Sequence, residues 1–111
     1  MLLSYLLAVA AGGLLGAGIG YLLSKYLETA IEWFKSAWRS ISRSIRAVGI
    51  LYRRGKRLFK AIVVELIGGE TEIYEPSGGD DGVEVTKEDM SPEAWKFLQE
   101  EDYLPIERYG Y

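Results

Sequence analysis

The first 24 residues of the chain carry no charged side chain. An α-helix of this length is about 36 Å long and exceeds the hydrocarbon core of a bilayer, which is roughly 30 Å thick. Its many glycines would destabilise a water-exposed helix but are common in membrane helices. A secretory signal peptide is the main alternative because Ala8-Val9-Ala10 has small-x-small spacing, but no basic residue precedes the apolar run. We therefore predict a transmembrane helix over residues 1–24.

The charges on the two sides of this segment predict its orientation. No Lys or Arg precedes it, whereas Lys25, Lys35 and Arg39 follow it. By the positive-inside rule, the C-terminal part lies in the cytoplasm and the short N-terminus lies outside. The predicted localisation is therefore a membrane that the chain crosses once, either of a cell or of a virion.

Small residues recur every four positions along the predicted transmembrane helix. On an α-helix this spacing forms one straight ridge, along which a second helix can approach closely. We predict that this glycine zipper, with its two overlapping GxxxG motifs, is a helix-packing face, and the alternative is an apolar anchor with incidental glycines. The residues of the ridge are Ser4, Ala8, Gly12, Gly16, Gly20 and Ser24.

Apolar residues continue at heptad spacing after this segment. From Leu27 to Val48 they step alternately by four and three residues, and no proline interrupts them. This spacing predicts a long amphipathic basic helix over residues 25–57. Two roles stay open for it: packing as a coiled coil on copies of itself or on a partner, or lying on an anionic membrane surface.

Charge is strongly segregated along the rest of the chain. Residues 25–60 hold ten Lys or Arg and two Glu, whereas residues 61–111 hold three Lys or Arg and fourteen Asp or Glu. The basic residues are densest just before residue 61, where they are predicted to contact lipid headgroups or an acidic partner, including the chain's own acidic tail. Nucleic acid is not expected as a partner, because no reader motif accompanies the cluster. These contact residues are Arg53, Arg54, Lys56, Arg57 and Lys60.

The sequence of residues 58–75 is compatible with two structures. The apolar pattern fits a short helix capped at Gly68-Gly69, which is the preferred alternative. The same glycines could form the turn of a β-hairpin between residues 61–67 and 70–75, where β-branched residues are frequent.

Residues 76–111 are predicted to form an acidic linker, a short helix and an aromatic C-terminal tail. The helix begins at Ser91-Pro92-Glu93, a sequence that combines an N-cap, a proline at the first helical position and a favourable acidic residue. Because the segment is too short to bury its own apolar side chains, we predict that they dock on a partner. The docking residues are Trp95, Leu98, Tyr103, Tyr109 and Tyr111.

The composition argues against catalysis. The chain has no His and no Cys, which excludes histidine bases, cysteine nucleophiles and zinc sites of the Cys/His type. Asp80, Asp81 and Glu84 lack the ligand spacing of a calcium loop, and no catalytic motif is present. We expect no enzyme activity, no cofactor and no metal. The chain has no Asn and only one Gln, Gln99, and thermolabile side chains of this kind are depleted in proteins from hot environments, although a short chain can also lack them by chance.

The predicted fold class is therefore mostly α: a single transmembrane helix that continues into a long amphipathic basic helix, then a short helix or β-hairpin, then an acidic, partly extended tail. The predicted function is that of a structural or accessory subunit in a larger membrane-associated assembly. Examples are a minor membrane protein of a lipid-containing virus and a supernumerary subunit of a membrane complex. Its partners would be the lipid bilayer and other membrane or capsid-type subunits, including copies of itself. The alternative is a holin-like or pore-forming protein that permeabilises a membrane.

Overall fold

The computed structural model describes residues 21–110, which form two α-helices and a five-stranded antiparallel sheet. The elements in chain order are α1 (Tyr21–Ser40), β1 (Ser44–Arg54), β2 (Arg57–Leu66), β3 (Thr71–Tyr74), β4 (Val83–Glu84), a 3-10 turn (Lys87–Asp89), α2 (Pro92–Glu101) and β5 (Tyr103–Tyr109).

The strand order is β3-β2-β1-β5, and the short β4 pairs with the start of β2. The two long central strands, β1 and β2, form a hairpin that turns at Gly55-Lys56, where Gly55 has a φ of 62°. Since β1 and β2 each have neighbours on both sides, the edges of the sheet are formed by β5 on one side and by β3 and β4 on the other.

The sheet has two apolar faces, and the two helices within residues 21–110 pack against one of them. We call the face that packs against α1 and α2 the helix face, and the opposite face the distal face. Successive residues of a strand point to opposite faces. In β1, Leu51 belongs to the helix-face core, whereas Val48 and Ile50 belong to a separate cluster on the distal face.

Helix α1 lies on the helix face through an apolar stripe that contains Leu23, Leu27, Ala30 and Phe34, all buried. The ring of Phe34 rests directly on Gly49 of β1, where a Cβ atom would lie only 2.5 Å from the ring. Glycine at this position therefore allows the helix to approach the sheet closely.

The predicted mostly α fold is wrong, because the second part of the region 25–57, which the heptad spacing assigns to a basic helix, is a strand, and further strands follow it. Helix α1 ends at Ser40, and the chain enters β1 at Ser44. The last heptad positions, Ile45 and Val48, lie in this strand, with Ile45 exposed and Val48 buried on the distal face. Their spacing matches a helix period, but the local pattern is a strand with both faces apolar.

The prediction of a single-pass membrane protein is also contradicted. Within residues 21–110, no helix is long and apolar enough to cross a membrane. The end of the predicted span forms the start of α1, where Leu23 packs in the core and Ser24 is exposed. Charged residues occupy the remaining sides of α1, so this helix has one apolar face that fits a sheet rather than lipid on all sides.

This finding also contradicts the predicted membrane localisation and the predicted transmembrane glycine zipper. Five of the six ridge residues, from Ser4 to Gly20, lie outside the described residues, and so does most of the predicted span 1–24.

For residues 58–75 the structure has the hairpin rather than the preferred helix. Strand β2 pairs with β3, from Ile62 opposite Tyr74 to Glu65 opposite Thr71. Gly68 and Gly69 in the turn have φ angles of 108° and 90°. The short helix predicted to begin at Ser91 is present as α2. The hydroxyl of Ser91 accepts a hydrogen bond from the N–H of Ala94 at 3.2 Å.

Replacing Gly49 by alanine should destabilise the fold, because the added methyl group would overlap the Phe34 ring. We expect the free energy of unfolding to fall by about 1–3 kcal/mol, as in other overpacked cores. Urea denaturation followed by tryptophan fluorescence measures this change. Gly78→Ala is the matched control, since a Cβ at Gly78 would meet no atom within 4 Å. Equal losses in the two variants would contradict the role given to Gly49.

Candidate functional site

The distal face carries an apolar cluster that consists of strand residues alone. Val48, Ile50, Ala61 and Val63 form its floor. The half-buried rings of Tyr52 and Tyr103 pack against this floor from β1 and β5, which face each other at this point. They line a groove of about 370 Å³, which we call the distal groove. In the described part of the chain, neither helix contributes a residue to this cluster.

The rim of the distal groove is polar. On one side Arg53 and Asp102 form an ion pair with an N–O distance of 2.5 Å. On the other side the hydroxyl of Tyr52 donates a hydrogen bond to Glu75 at 2.6 Å. Burial, together with this hydrogen bond, raises the pKa of Tyr52. An apolar floor with a polar rim is the usual anatomy of a protein–protein interface.

Ile73 of β3 borders the distal groove and is 62% exposed, the largest value among the exposed large hydrophobic residues of the described chain. Single exposed apolar residues are common on protein surfaces. Ile73, however, continues a buried apolar floor, because it pairs directly with Val63 across the β2–β3 ladder. Ile73 is therefore part of an extended apolar patch.

A second concave surface lies on the helix face, between β3 and the C-terminal half of α1. Trp33, Ala37 and Ile41 form its apolar wall, and Glu72 and Tyr74 line it from β3. Its volume is about 600 Å³, and we call it the helix-side cleft. Strand β3 is thus bordered by a concave surface on each of its faces.

The opposite edge of the sheet, β5, is poorly suited to pair with another strand. Pro105 lies within β5 and has no N–H group to donate. The register between β1 and β5 also shifts between Gly49 and Ile50, which is the mark of a bulge. Prolines and bulges on edge strands prevent unwanted strand pairing, so this edge is protected.

The acidic loop between β3 and β4 is held in place by Asp80. Its carboxylate accepts hydrogen bonds from the hydroxyl of Tyr26 and from the backbone N–H groups of Lys60 and Gly82, the latter two at 3.1 Å. Burial alone would raise the pKa of Asp80, but these hydrogen bonds and the Lys60 ammonium outweigh it and lower the pKa. Burial and the Asp80 contact raise the pKa of Tyr26. Asp80 therefore connects the loop to α1 and β2.

The basic residues predicted as a contact cluster are distributed around the β1–β2 hairpin rather than gathered on one surface. Arg53 pairs with Asp102 and Lys60 with Asp80, at 2.5 and 3.4 Å, and Arg57 donates to the carbonyl of Asp81 at 3.3 Å. Acidic residues from the C-terminal half of the chain thus contact three of the five. Arg54 and Lys56 are exposed at the hairpin end. Contact of the cluster with lipid or with a separate partner stays a prediction.

The residues predicted to dock on a partner mostly lie within the chain's own packing. Leu98 is fully buried in the helix-face core, Trp95 is half-buried beside it, and Tyr103 lines the distal groove. Tyr109 stacks on Trp38 with ring centroids 6.0 Å apart, and burial raises its pKa to about 12. Tyr111 lies outside the described residues. Docking on a partner stays a prediction for the parts of these side chains that are exposed.

Sequence reasoning missed the distal groove and the edge of β3. The available signal was the apolar run 47–52, in which both alternating sets of residues are apolar, as in a strand that is covered on both faces. Within residues 21–110, no group of three or more acidic side chains is placed to hold a metal ion.

Comparisons with known proteins give no match: no family model, no curated protein and no solved structure corresponds to this chain.

Replacing Asp80 by asparagine should weaken the attachment of the acidic loop. We expect a loss of about 1–3 kcal/mol in the free energy of unfolding at pH 7, because hydrogen bonds to a charged acceptor are lost. Since folding lowers the pKa of Asp80, its ionisation stabilises the fold above the unfolded pKa of 3.8. The difference from wild type should therefore shrink as the pH falls below about 4.

Urea titrations of both proteins at pH 7 and pH 3 measure this dependence. Asp81→Asn is the control, since the side chain of Asp81 is exposed. A difference between wild type and Asp80→Asn that stays constant over this range would show that the charge of Asp80 does not stabilise the fold.

Proposed function

We propose that this protein is a non-catalytic binding module that holds a partner polypeptide on the distal face of its sheet, as an accessory subunit of a larger assembly. The observation that supports the proposal is the distal groove, where the exposed Ile73 and the half-buried Tyr52 and Tyr103 surround a buried apolar floor and polar side chains form the rim. Two-layer folds normally bury one face of a sheet and present polar residues on the other. Here the second face is apolar as well.

The energetics favour a polypeptide as the occupant. Burying one large aliphatic side chain stabilises a complex by roughly 1.5–3 kcal/mol before the ordering costs are subtracted. Ile73 and the two tyrosines, Tyr52 and Tyr103, provide apolar and aromatic contact area along the distal groove. Aromatic residues with a surrounding polar rim are typical of the regions that dominate binding energy.

We retain the expectation that the protein is not an enzyme. The sequence offers neither His nor Cys, and the distal groove is lined by apolar and aromatic side chains with charges only at its rim. Such a lining provides binding energy but no constellation of acid, base and nucleophile. A membrane-permeabilising role stays an alternative prediction.

The substitution Ile73→Asp tests the proposal. Proteins that co-purify with the full-length chain from its source cells are identified by mass spectrometry, and the affinity of each purified partner is then measured by calorimetry. We expect Ile73→Asp to weaken binding at least tenfold, because a carboxylate would have to be desolvated in the apolar interface. Circular dichroism should show an unchanged fold, since the wild-type side chain is mostly exposed.

Ile67→Asp is the matched control. Ile67 is 59% exposed, almost as much as Ile73, but it lies in the β2–β3 turn and does not line the distal groove. This variant should bind the partner with wild-type affinity. If both variants bind as well as wild type, the distal face is not the interface.

A further inference from the structure

We propose that the partner binds as an extended strand that pairs with the outer edge of β3, and that this strand alternates basic and apolar residues. The inference rests on the proposed function and specifies the chemistry of the partner. It goes beyond the use of the distal face, because it assigns backbone hydrogen bonds to a particular edge of the sheet.

The register of the β2–β3 hairpin shows which backbone groups of β3 are directed outward. The N–H of Leu66 donates to the carbonyl of Glu70 at 2.8 Å. Pairs of an antiparallel ladder alternate between hydrogen-bonded and non-hydrogen-bonded types. The N–H and C=O groups of Glu72 and Tyr74 therefore form hydrogen bonds with β2, whereas those of Thr71 and Ile73 are directed to the outer edge. In the described range 21–110, no strand pairs with this edge.

The two edges of the sheet differ in their readiness to accept a strand. Strand β5 contains Pro105 and a bulge, whereas β3 contains neither. An unprotected edge with an exposed apolar side chain such as Ile73 is the usual platform for strand addition. This difference selects β3 rather than β5 as the binding edge.

A strand added to β3 would place its side chains in both concave surfaces. Alternate side chains of a strand point to opposite faces. One set would lie beside Ile73 at the border of the distal groove, and the other would lie beside Glu72 next to the helix-side cleft. A single extended segment therefore accounts for the exposure of Ile73 and for the open space between β3 and α1.

The charges of β3 indicate what this segment contains. Glu72 and the preceding Glu70 are both exposed, and their even spacing places them on the helix face, opposite to Ile73. A second copy of β3 placed alongside would bring like charges together, which destabilises cross-strand pairs, whereas Lys or Arg at these positions would stabilise them. The occupant is accordingly a basic strand from another protein, with apolar residues on the side of Ile73.

The test uses a blocked eight-residue peptide of alternating valine and lysine as the probe for the full-length protein. Fluorescence anisotropy should show binding that weakens with added salt. A valine–glutamate peptide of the same length should bind at least tenfold more weakly, because its charges repel β3.

Thr71→Pro removes one outward N–H without removing a ladder hydrogen bond, since Thr71 is the first residue of β3. This variant should bind the valine–lysine peptide at least tenfold more weakly, whereas the control Thr71→Val, which keeps the N–H, should bind it as wild type does. NMR should show that the amides of Thr71 and Ile73 exchange rapidly in the free protein and slowly in the complex.

Three results would overturn the inference. Slow exchange of these two amides in the free monomer would show that another segment of the same chain occupies the edge. Concentration-dependent dimerisation that Thr71→Pro abolishes would identify a second copy as the occupant. Equal binding of the two peptides, or wild-type binding by Thr71→Pro, would exclude a basic added strand.

The last outcome also separates the inference from the proposed function. If Ile73→Asp loses the natural partner but Thr71→Pro keeps it, the distal face is the interface and the partner does not add a strand. If both variants keep the partner, the inference and the proposed function fail together.

Discussion

The contact between the Phe34 ring and the bare backbone of Gly49 sets the distance between α1 and the sheet. Because this glycine lies in the central strand β1, the helix sits over the middle of one face and buries the residues around it. Helix α2 extends the same layer through Ala94 and Leu98. Both helices therefore pack on the helix face. The apolar strand residues that alternate with those of this core point to the distal face.

The separation of charge along the sequence has its explanation in the pairing of distant segments. The ion pairs Arg46–Glu65, Arg53–Asp102 and Lys60–Asp80 each join a basic residue before position 61 to an acidic residue after it. Charges that are separate in sequence are thus interleaved in space. A segregated sequence is consequently compatible with one folded domain when antiparallel pairing brings its two halves together.

Local signals were sufficient for the elements that depend on neighbouring residues. The Ser91-Pro92 cap defines the start of α2, whereas Gly68-Gly69 fits both a helix cap and a hairpin turn, and the structure has the hairpin turn rather than the preferred helix cap. The end of α1 was not predictable in this way, because the apolar spacing continues to Val48 although the backbone changes to a strand. A strand with two apolar faces has no alternation of apolar and polar residues to reveal it.

The candidate site was harder to predict for a related reason. Whether Ile73 faces solvent or a core depends on the register of β2 and β3 and on which face the helices cover. Neither property is local to residues 71–74. Leu98 illustrates the opposite error: its segment has too few apolar residues to form a core alone, but it completes a core that α1 and the sheet provide.

The protection of the β5 edge by Pro105 and a bulge has a consequence for assembly size. A sheet that offers pairing groups along both borders can link its neighbours into an open-ended fibre, because each new member presents a fresh template. A sheet with only one unprotected edge strand stops this growth after one strand has been added. Because β5 is protected, a further strand would not pair with this protein on that side. An assembly that incorporates the protein through β3 would therefore have a fixed stoichiometry rather than an indefinite length.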